Sequence, residues 1–152
     1  MKPTPGGPFN SYTDALNSGG ICPMGKYCET GVAVGSNCGQ NKFLPFFGAI
    51  ISTDCQSCPV GKYCATPGLD YPTGDCSAGY YCPASSISST ASACAQDYYC
   101  ELGTLAPIKC PPGTYTTGTG FATCTACSDG KVCSGYGVEV NCPLGYYCKN
   151  DI

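Results

Sequence analysis

Cys22-Pro23-Met24-Gly25-Lys26-Tyr27-Cys28 is the stretch from which the rest of the chain is read. It returns as Cys58-Pro59-Val60-Gly61-Lys62-Tyr63-Cys64 and as Cys142-Pro143-Leu144-Gly145-Tyr146-Tyr147-Cys148. Aligning on Cys22, Cys38, Cys58, Cys76, Cys94, Cys110, Cys127 and Cys142 defines eight units with the pattern Cys-x-x-[Gly/Asn/Asp]-x-[Tyr/Phe/Val]. The fourth slot holds Gly25, Asn41, Gly61, Gly79, Asp97, Gly113, Gly130 and Gly145. These residue types best tolerate φ > 0, so the slot is expected to be a left-handed turn position. The sixth slot holds Tyr27, Phe43, Tyr63, Tyr81, Tyr99, Tyr115, Val132 and Tyr147, rings suited to covering a neighbouring disulfide.

Each unit owns a second cysteine. In six units it follows the aromatic slot, as Cys28, Cys64, Cys82, Cys100, Cys133 and Cys148. The units opening at Cys38 and Cys110 carry Cys55 and Cys124 instead, each three residues before the next unit. The intervals from Cys22 to Cys82 are x5, x9, x16, x2, x5, x11, x5, and those from Cys94 to Cys148 are x5, x9, x13, x2, x5, x8, x5. The chain is therefore read as a lead-in, 1–21, and two copies of one eight-cysteine module, 22–93 and 94–152. The join, 83–93, has a small-residue linker composition. Units that touch only their neighbours stack in one dimension, which predicts a rod. No sustained 3.6-residue apolar period appears, and Gly or Pro punctuates every unit. The expected fold class is small, disulfide-rich and elongated, with two-residue β-pairings, turns and at most a helical turn near Asp14-Ala15-Leu16.

Composition agrees. Sixteen cysteines in 152 residues, with 21 Gly, 13 Pro and no Trp, describe a disulfide scaffold of an oxidising compartment. An even count fits complete pairing. Length alone suggests one domain, but few large apolar side chains remain for a common core. Stability is expected from cross-links, each worth roughly 2–4 kcal/mol. A net charge of −3, with scattered lysines, offers no footprint for nucleic acid or an anionic membrane. No apolar run approaches the ~20 residues that span a bilayer. Met1 to Pro8 contains no signal-peptide apolar region, and the chain is expected to be part of something longer.

The segment from Cys110-Pro111-Pro112-Gly113-Thr114-Tyr115 to Cys124-Thr125-Ala126-Cys127 resembles the ephrin-receptor-like cysteine-rich repeat, itself similar to modules of the tumour-necrosis-factor receptor family. The Cys-Pro-x-Gly-x-Tyr-Cys units resemble repeats of large surface and fibre proteins of algae, ciliates and other protists. The resemblance covers 22–148 and bears on architecture more than on function. It implies the pairs Cys110–Cys124 and Cys38–Cys55. For the other twelve cysteines, bridging within each Cys-x5-Cys and staggered pairing such as Cys127–Cys142 with Cys133–Cys148 both complete the set.

Reactive chemistry is not expected. Cys55-x2-Cys58 and Cys124-x2-Cys127 lack the second pair or the histidines of a zinc site and the βαβ setting of a redox motif. With no His, the usual general base is missing, and Asp70, Asp75, Asp97, Glu101, Asp129 and Glu139 are scattered through loops. No cofactor or metal is called for. Ser85, Ser86, Ser88, Ser89, Thr90, Thr116, Thr117 and Thr119 are candidate O-glycosylation sites, while no Asn stands in an Asn-x-Ser/Thr sequon. Of the tyrosine pairs, Tyr80, Tyr98 and Tyr146 are expected to be the members available to a partner. Phe43-Leu44-Pro45-Phe46-Phe47-Gly48-Ala49-Ile50-Ile51 is the most apolar stretch, and Phe46, Phe47, Ile50 and Ile51 are the candidate subunit contact.

The functional expectation is a non-enzymatic structural subunit of an extracellular fibre, flagellar hair or surface coat, carrying O-linked glycans. Its partners are copies of itself or other extracellular structural proteins. The alternative is the ligand-binding ectodomain of a surface receptor or adhesin.

Overall fold

The computed structural model describes residues 20–133 and 137–148. The helical turn expected near Asp14 lies outside them. The chain is a small disulfide-rich repeat fold with little regular secondary structure.

Each unit opens with its cysteine, and the carbonyl of the second slot accepts the N–H of the fifth. The bonds run from Lys26 to Pro23, Lys42 to Gly39, Lys62 to Pro59, Tyr80 to Ser77, Tyr98 to Ala95, Thr114 to Pro111, Lys131 to Ser128 and Tyr146 to Pro143. That closure leaves the fourth slot as third residue of a tight turn, where φ > 0 is required in type II geometry. All eight fourth-slot residues have positive φ, from 65° at Asp97 to 86° at Gly79. The expectation drawn from Gly, Asn and Asp at this slot holds throughout.

The turn delivers two residues into a strand, and the residues just before the next unit's cysteine return antiparallel to it. The hairpins pair β1 (Lys26–Tyr27) with β2 (Ser36–Asn37), and β3 (Lys42–Phe43) with β4 (Gln56–Ser57). Next, β5 (Lys62–Tyr63) pairs with β6 (Gly74–Asp75), and β7 (Tyr80–Tyr81) with β8 (Ser92–Ala93). Then β9 (Tyr98–Tyr99) pairs with β10 (Ile108–Lys109), β11 (Thr114–Tyr115) with β12 (Thr125–Ala126), and β13 (Lys131–Cys133) with β14 (Glu139–Asn141). A 3-10 turn at Ser52–Asp54 is the helical element among the described residues.

All sixteen cysteines are paired, and each bridge stays inside one unit. Six close a Cys-x5-Cys: Cys22–Cys28, Cys58–Cys64, Cys76–Cys82, Cys94–Cys100, Cys127–Cys133 and Cys142–Cys148. The other two are Cys38–Cys55 and Cys110–Cys124, the pairs that the receptor-type resemblance implies. The staggered alternative is not adopted. Fully buried side chains are mostly half-cystines, joined by Leu44 and Thr116. Tyr27 packs against Cys38, Leu44, Ala49 and Cys55, so the sixth-slot ring of unit 1 covers the disulfide of unit 2.

The linker reading of 83–93 is corrected. Ser85 N–H donates to the Cys58 carbonyl at 2.8 Å, and the Ser86 carbonyl accepts Cys64 N–H at 2.9 Å. Ser77 bonds Ser89 through both backbone and hydroxyl, and Ser92–Ala93 is the return strand β8. The stretch is the loop of unit 4, and its small residues fit because they pack against the preceding unit.

Candidate functional site: the grip between units

The feature that recurs most regularly is the contact between consecutive units. The fourth-slot carbonyl of each unit accepts the N–H of the next unit's first cysteine at all seven junctions, from Cys38 to Gly25 through Cys142 to Gly130. In return, the fourth-slot N–H donates to the seventh slot of the next unit: Gly25 to Leu44, Asn41 to Cys64, Gly61 to Cys82 and Gly79 to Cys100. At the fifth junction a hydroxyl takes the place of the carbonyl, and Asp97 N–H donates to Thr116 Oγ1 at 2.7 Å.

A second left-handed position completes the grip, and sequence reading missed it. Gly31, Gly48, Gly68, Ser85, Gly103, Gly120 and Gly137 all have positive φ, between 67° and 83°. Together with the fourth slot they account for every left-handed residue among the described ones. Five of them donate to the first cysteine of the unit before: Gly48 to Cys22, Gly68 to Cys38, Ser85 to Cys58, Gly103 to Cys76 and Gly120 to Cys94. The residue after them then accepts a seventh-slot N–H, as Ala49 from Cys28, Leu69 from Leu44, Ser86 from Cys64 and Phe121 from Cys100. At about 1 kcal/mol net each, three or four such bonds hold each of the first five junctions, none of which a disulfide crosses.

Contact also reaches one unit further, which corrects the nearest-neighbour expectation. A Cβ added to Gly25 would lie 2.2 Å from the Gly68 carbonyl oxygen, two units on. A Cβ added to Gly61 would likewise lie 2.8 Å from the Gly103 carbonyl oxygen, and one added to Gly79 2.2 Å from that of Gly120. Its physical reason is that the left-handed loops of units 3, 5 and 6 reach back over their predecessors to the unit beyond. The ladder crosses the Ala93–Cys94 join unbroken, through Cys94 to Gly79 and Gly79 to Cys100. Beside units 5 to 7 lies an open cleft of about 660 Å³, lined by Gln96, Tyr98, Lys109, Pro111, Thr114 and Cys133.

The candidate side chains divide. Among the glycan candidates, Ser86 is buried with its hydroxyl donating to the Pro83 carbonyl, and Thr116 is buried as acceptor for Asp97 N–H. Both are corrected to packing residues, because burial leaves no room for a sugar and attachment would remove the proton that Ser86 donates to Pro83 and Thr116 donates to the Gly118 carbonyl. Ser88, Thr90, Thr117 and Thr119 are exposed, while Ser85 and Ser89 are half-buried. Phe46, Phe47, Ile50 and Ile51 are 42%, 59%, 65% and 49% exposed. The Asp54 carboxylate accepts Ile50 and Ile51 N–H at 3.1 and 3.4 Å, which fixes the end of their loop. The other reading of this apolar stretch, that it fills a pocket against the N-terminal residues 1–20, concerns a segment that lies, but for Gly20, outside the described residues. Tyr98 is exposed and Tyr80 half-buried, whereas Tyr146 and Tyr147 are both exposed.

The thiols of the two Cys-x-x-Cys motifs belong to separate bridges: Cys55 pairs with Cys38 and Cys58 with Cys64, while Cys124 pairs with Cys110 and Cys127 with Cys133. Among the described residues no three metal-ligating side chains converge. Two of the scattered carboxylates do find cations across their hairpins, Asp75 with Lys62 and Glu139 with Lys131 at 3.2 Å. Ser128 N–H and hydroxyl donate to Glu139 Oε1 at 2.8 and 2.9 Å. These bonds, the backbone one first, hold the Glu139 carboxyl below its usual range, with Lys131 adding to the effect.

The class that this geometry defines is a tandem-repeat disulfide stack. No protein-family model matches the chain, and comparison with curated proteins returns no match. No helix among the described residues is long and apolar enough to cross a membrane.

Proposed function

We propose that the chain is a structural subunit of an extracellular fibre, flagellar hair or surface coat. The observation that carries this is the grip: one hydrogen-bonding scheme repeats from unit to unit and runs through the module join. Cystines dominate the buried side chains and left-handed turns set the backbone, the parts of a spacer. Eight disulfides support a setting outside the cytosol, at the cell surface or beyond. The exposed hydroxyls of Ser88, Thr90, Thr117 and Thr119 offer O-glycan attachment along its length. Its partners are further copies or other structural proteins, docking through Phe46, Phe47, Ile50 and Ile51.

Electron microscopy of the native material tests the reading. Filaments or a surface layer decorated by an antibody to the chain are the expected result. Isolated particles spread over a membrane would instead favour a ligand-binding ectodomain.

A further inference from the structure

We propose that the chain is a force-yielding element, in which stacked units part at their junctions under tension while every disulfide stays closed. The property belongs to the single chain, so it goes beyond the fibre reading and can fail without it.

The argument starts from where the cross-links are. A load entering near Cys22 and leaving near Cys148 passes through each disulfide as a short cut, with Cα atoms 5.7–6.1 Å apart. Residues inside the loops are shielded from that load. Between bridges the load follows the bare chain, 29–37, 65–75, 83–93, 101–109 and 134–141. In the first four of these, two-residue hairpins and the grip bonds hold the chain against stretching. Two links do not lengthen appreciably. Only Gln56 and Ser57 separate Cys55 from Cys58, and only Thr125 and Ala126 separate Cys124 from Cys127. Units 2 and 3, and units 6 and 7, therefore move as pairs.

The grip bonds join consecutive units, and each unit keeps its own covalently closed loop. Lengthening a linker also strips the bonds its own loop makes to the unit before, such as Gly68 to Cys38 and Ser85 to Cys58, so junctions part in succession, while each closed loop remains preformed for re-docking. A fibre of such chains would lengthen and recover instead of snapping.

The test is single-molecule stretching of the intact oxidised chain, held beyond Cys22 and Cys148, then repeated after reduction and thiol blocking. At ~3.5 Å per extended residue, the bridged path between those two cysteines spans about 250 Å and the reduced path about 440 Å. The expected record is lengthening in several separate steps to the shorter limit, recovery on relaxation, and a limit about 1.7-fold longer after reduction. One all-or-none step, or no lengthening before the covalent chain breaks, would overturn the proposal. So would equal limits before and after reduction. None of these outcomes bears on whether the native material is filamentous, which microscopy decides.

Discussion

A Cβ placed on Gly79 would sit 2.2 Å from the carbonyl oxygen of Gly120, two units along the chain. No side chain fits that gap, and Gly79 also has φ of 86°. Two independent constraints therefore select glycine here. At Gly130 only the dihedral one operates, because φ is 75° and nothing lies within 4 Å of an added Cβ.

That contrast gives the first prediction. Gly130→Ala should cost on the order of 1–2 kcal/mol, the left-handed penalty alone. Gly79→Ala should cost more, by roughly another 1–3 kcal/mol of overpacking. Denaturant unfolding with the disulfides intact measures both. Equal losses would mean that the contact between units two apart carries no weight.

Ser85 is the departure from glycine at the second left-handed position, with φ of 67°. Ser85→Gly removes a penalty of roughly 1–2 kcal/mol and adds back about 0.5–1 kcal/mol of unfolded-state entropy. The substitution should stabilise by up to about 1.5 kcal/mol, seen as a higher thermal midpoint. A lower midpoint would show that the serine side chain contributes something its backbone bond to Cys58 does not.

Thr116 is fully buried and accepts Asp97 N–H where most units offer a cysteine carbonyl. Thr116→Val keeps the volume and strands the donor, which should cost about 1–3 kcal/mol. In glycopeptide mapping of native material, sugar should appear at Thr117 or Thr119 and never at Thr116. Occupied Thr116 would contradict the fold at this junction.

These cases also show what a single sequence reveals. The fourth slot was legible because it stands at one fixed distance from its cysteine and admits only Gly, Asn or Asp. The second left-handed position was not, since it falls nine residues after the cysteine in units such as that of Gly31 and ten in others such as that of Gly48. Its reason is also tertiary: it exists to reach the carbonyl of the unit before. Disulfide pairing stayed open for twelve cysteines because x5 spacing serves local and staggered bridges alike. The Ser/Thr count could not separate Ser86 and Thr116, whose hydroxyls face inward, from Thr117 and Thr119, which are exposed. Thr116 did leave a trace, as a polar residue in the slot where six units have cysteine.

Glu139 provides a pH prediction. Its carboxyl is held below the usual range by Ser128 and Lys131, so the folded form binds its proton less readily than the unfolded form. The contribution is present above the unfolded carboxylate range and is lost as pH falls through the lowered folded value. The Ser128 amide resonance should therefore move in acid, with a midpoint below that of an ordinary glutamate. Glu139→Gln should abolish that movement. A Ser128 amide that titrates at the ordinary value would remove the assigned cause.

The last prediction concerns the loop between Cys38 and Cys55. Leu44 and Ala49 turn inward, at 0% and 2% exposure, and with both cysteines form the buried cluster that Tyr27 covers. Phe46 and Phe47 stand between these two anchors and remain exposed, as do Ile50 and Ile51 beyond them. The corresponding loop between Cys110 and Cys124 is three residues shorter and mostly polar, so the fold itself does not demand such side chains there. At ~25 cal/mol per Å² of apolar surface, covering several of them supplies several kcal/mol before association costs. Phe46→Ser with Phe47→Ser should therefore leave all eight disulfides formed and change stability by less than about 1 kcal/mol. Sedimentation and electron microscopy should show the same double variant failing to associate. Normal assembly of the variant would remove the contact from these rings. A large loss of stability would mean that they belong to the core of the single chain.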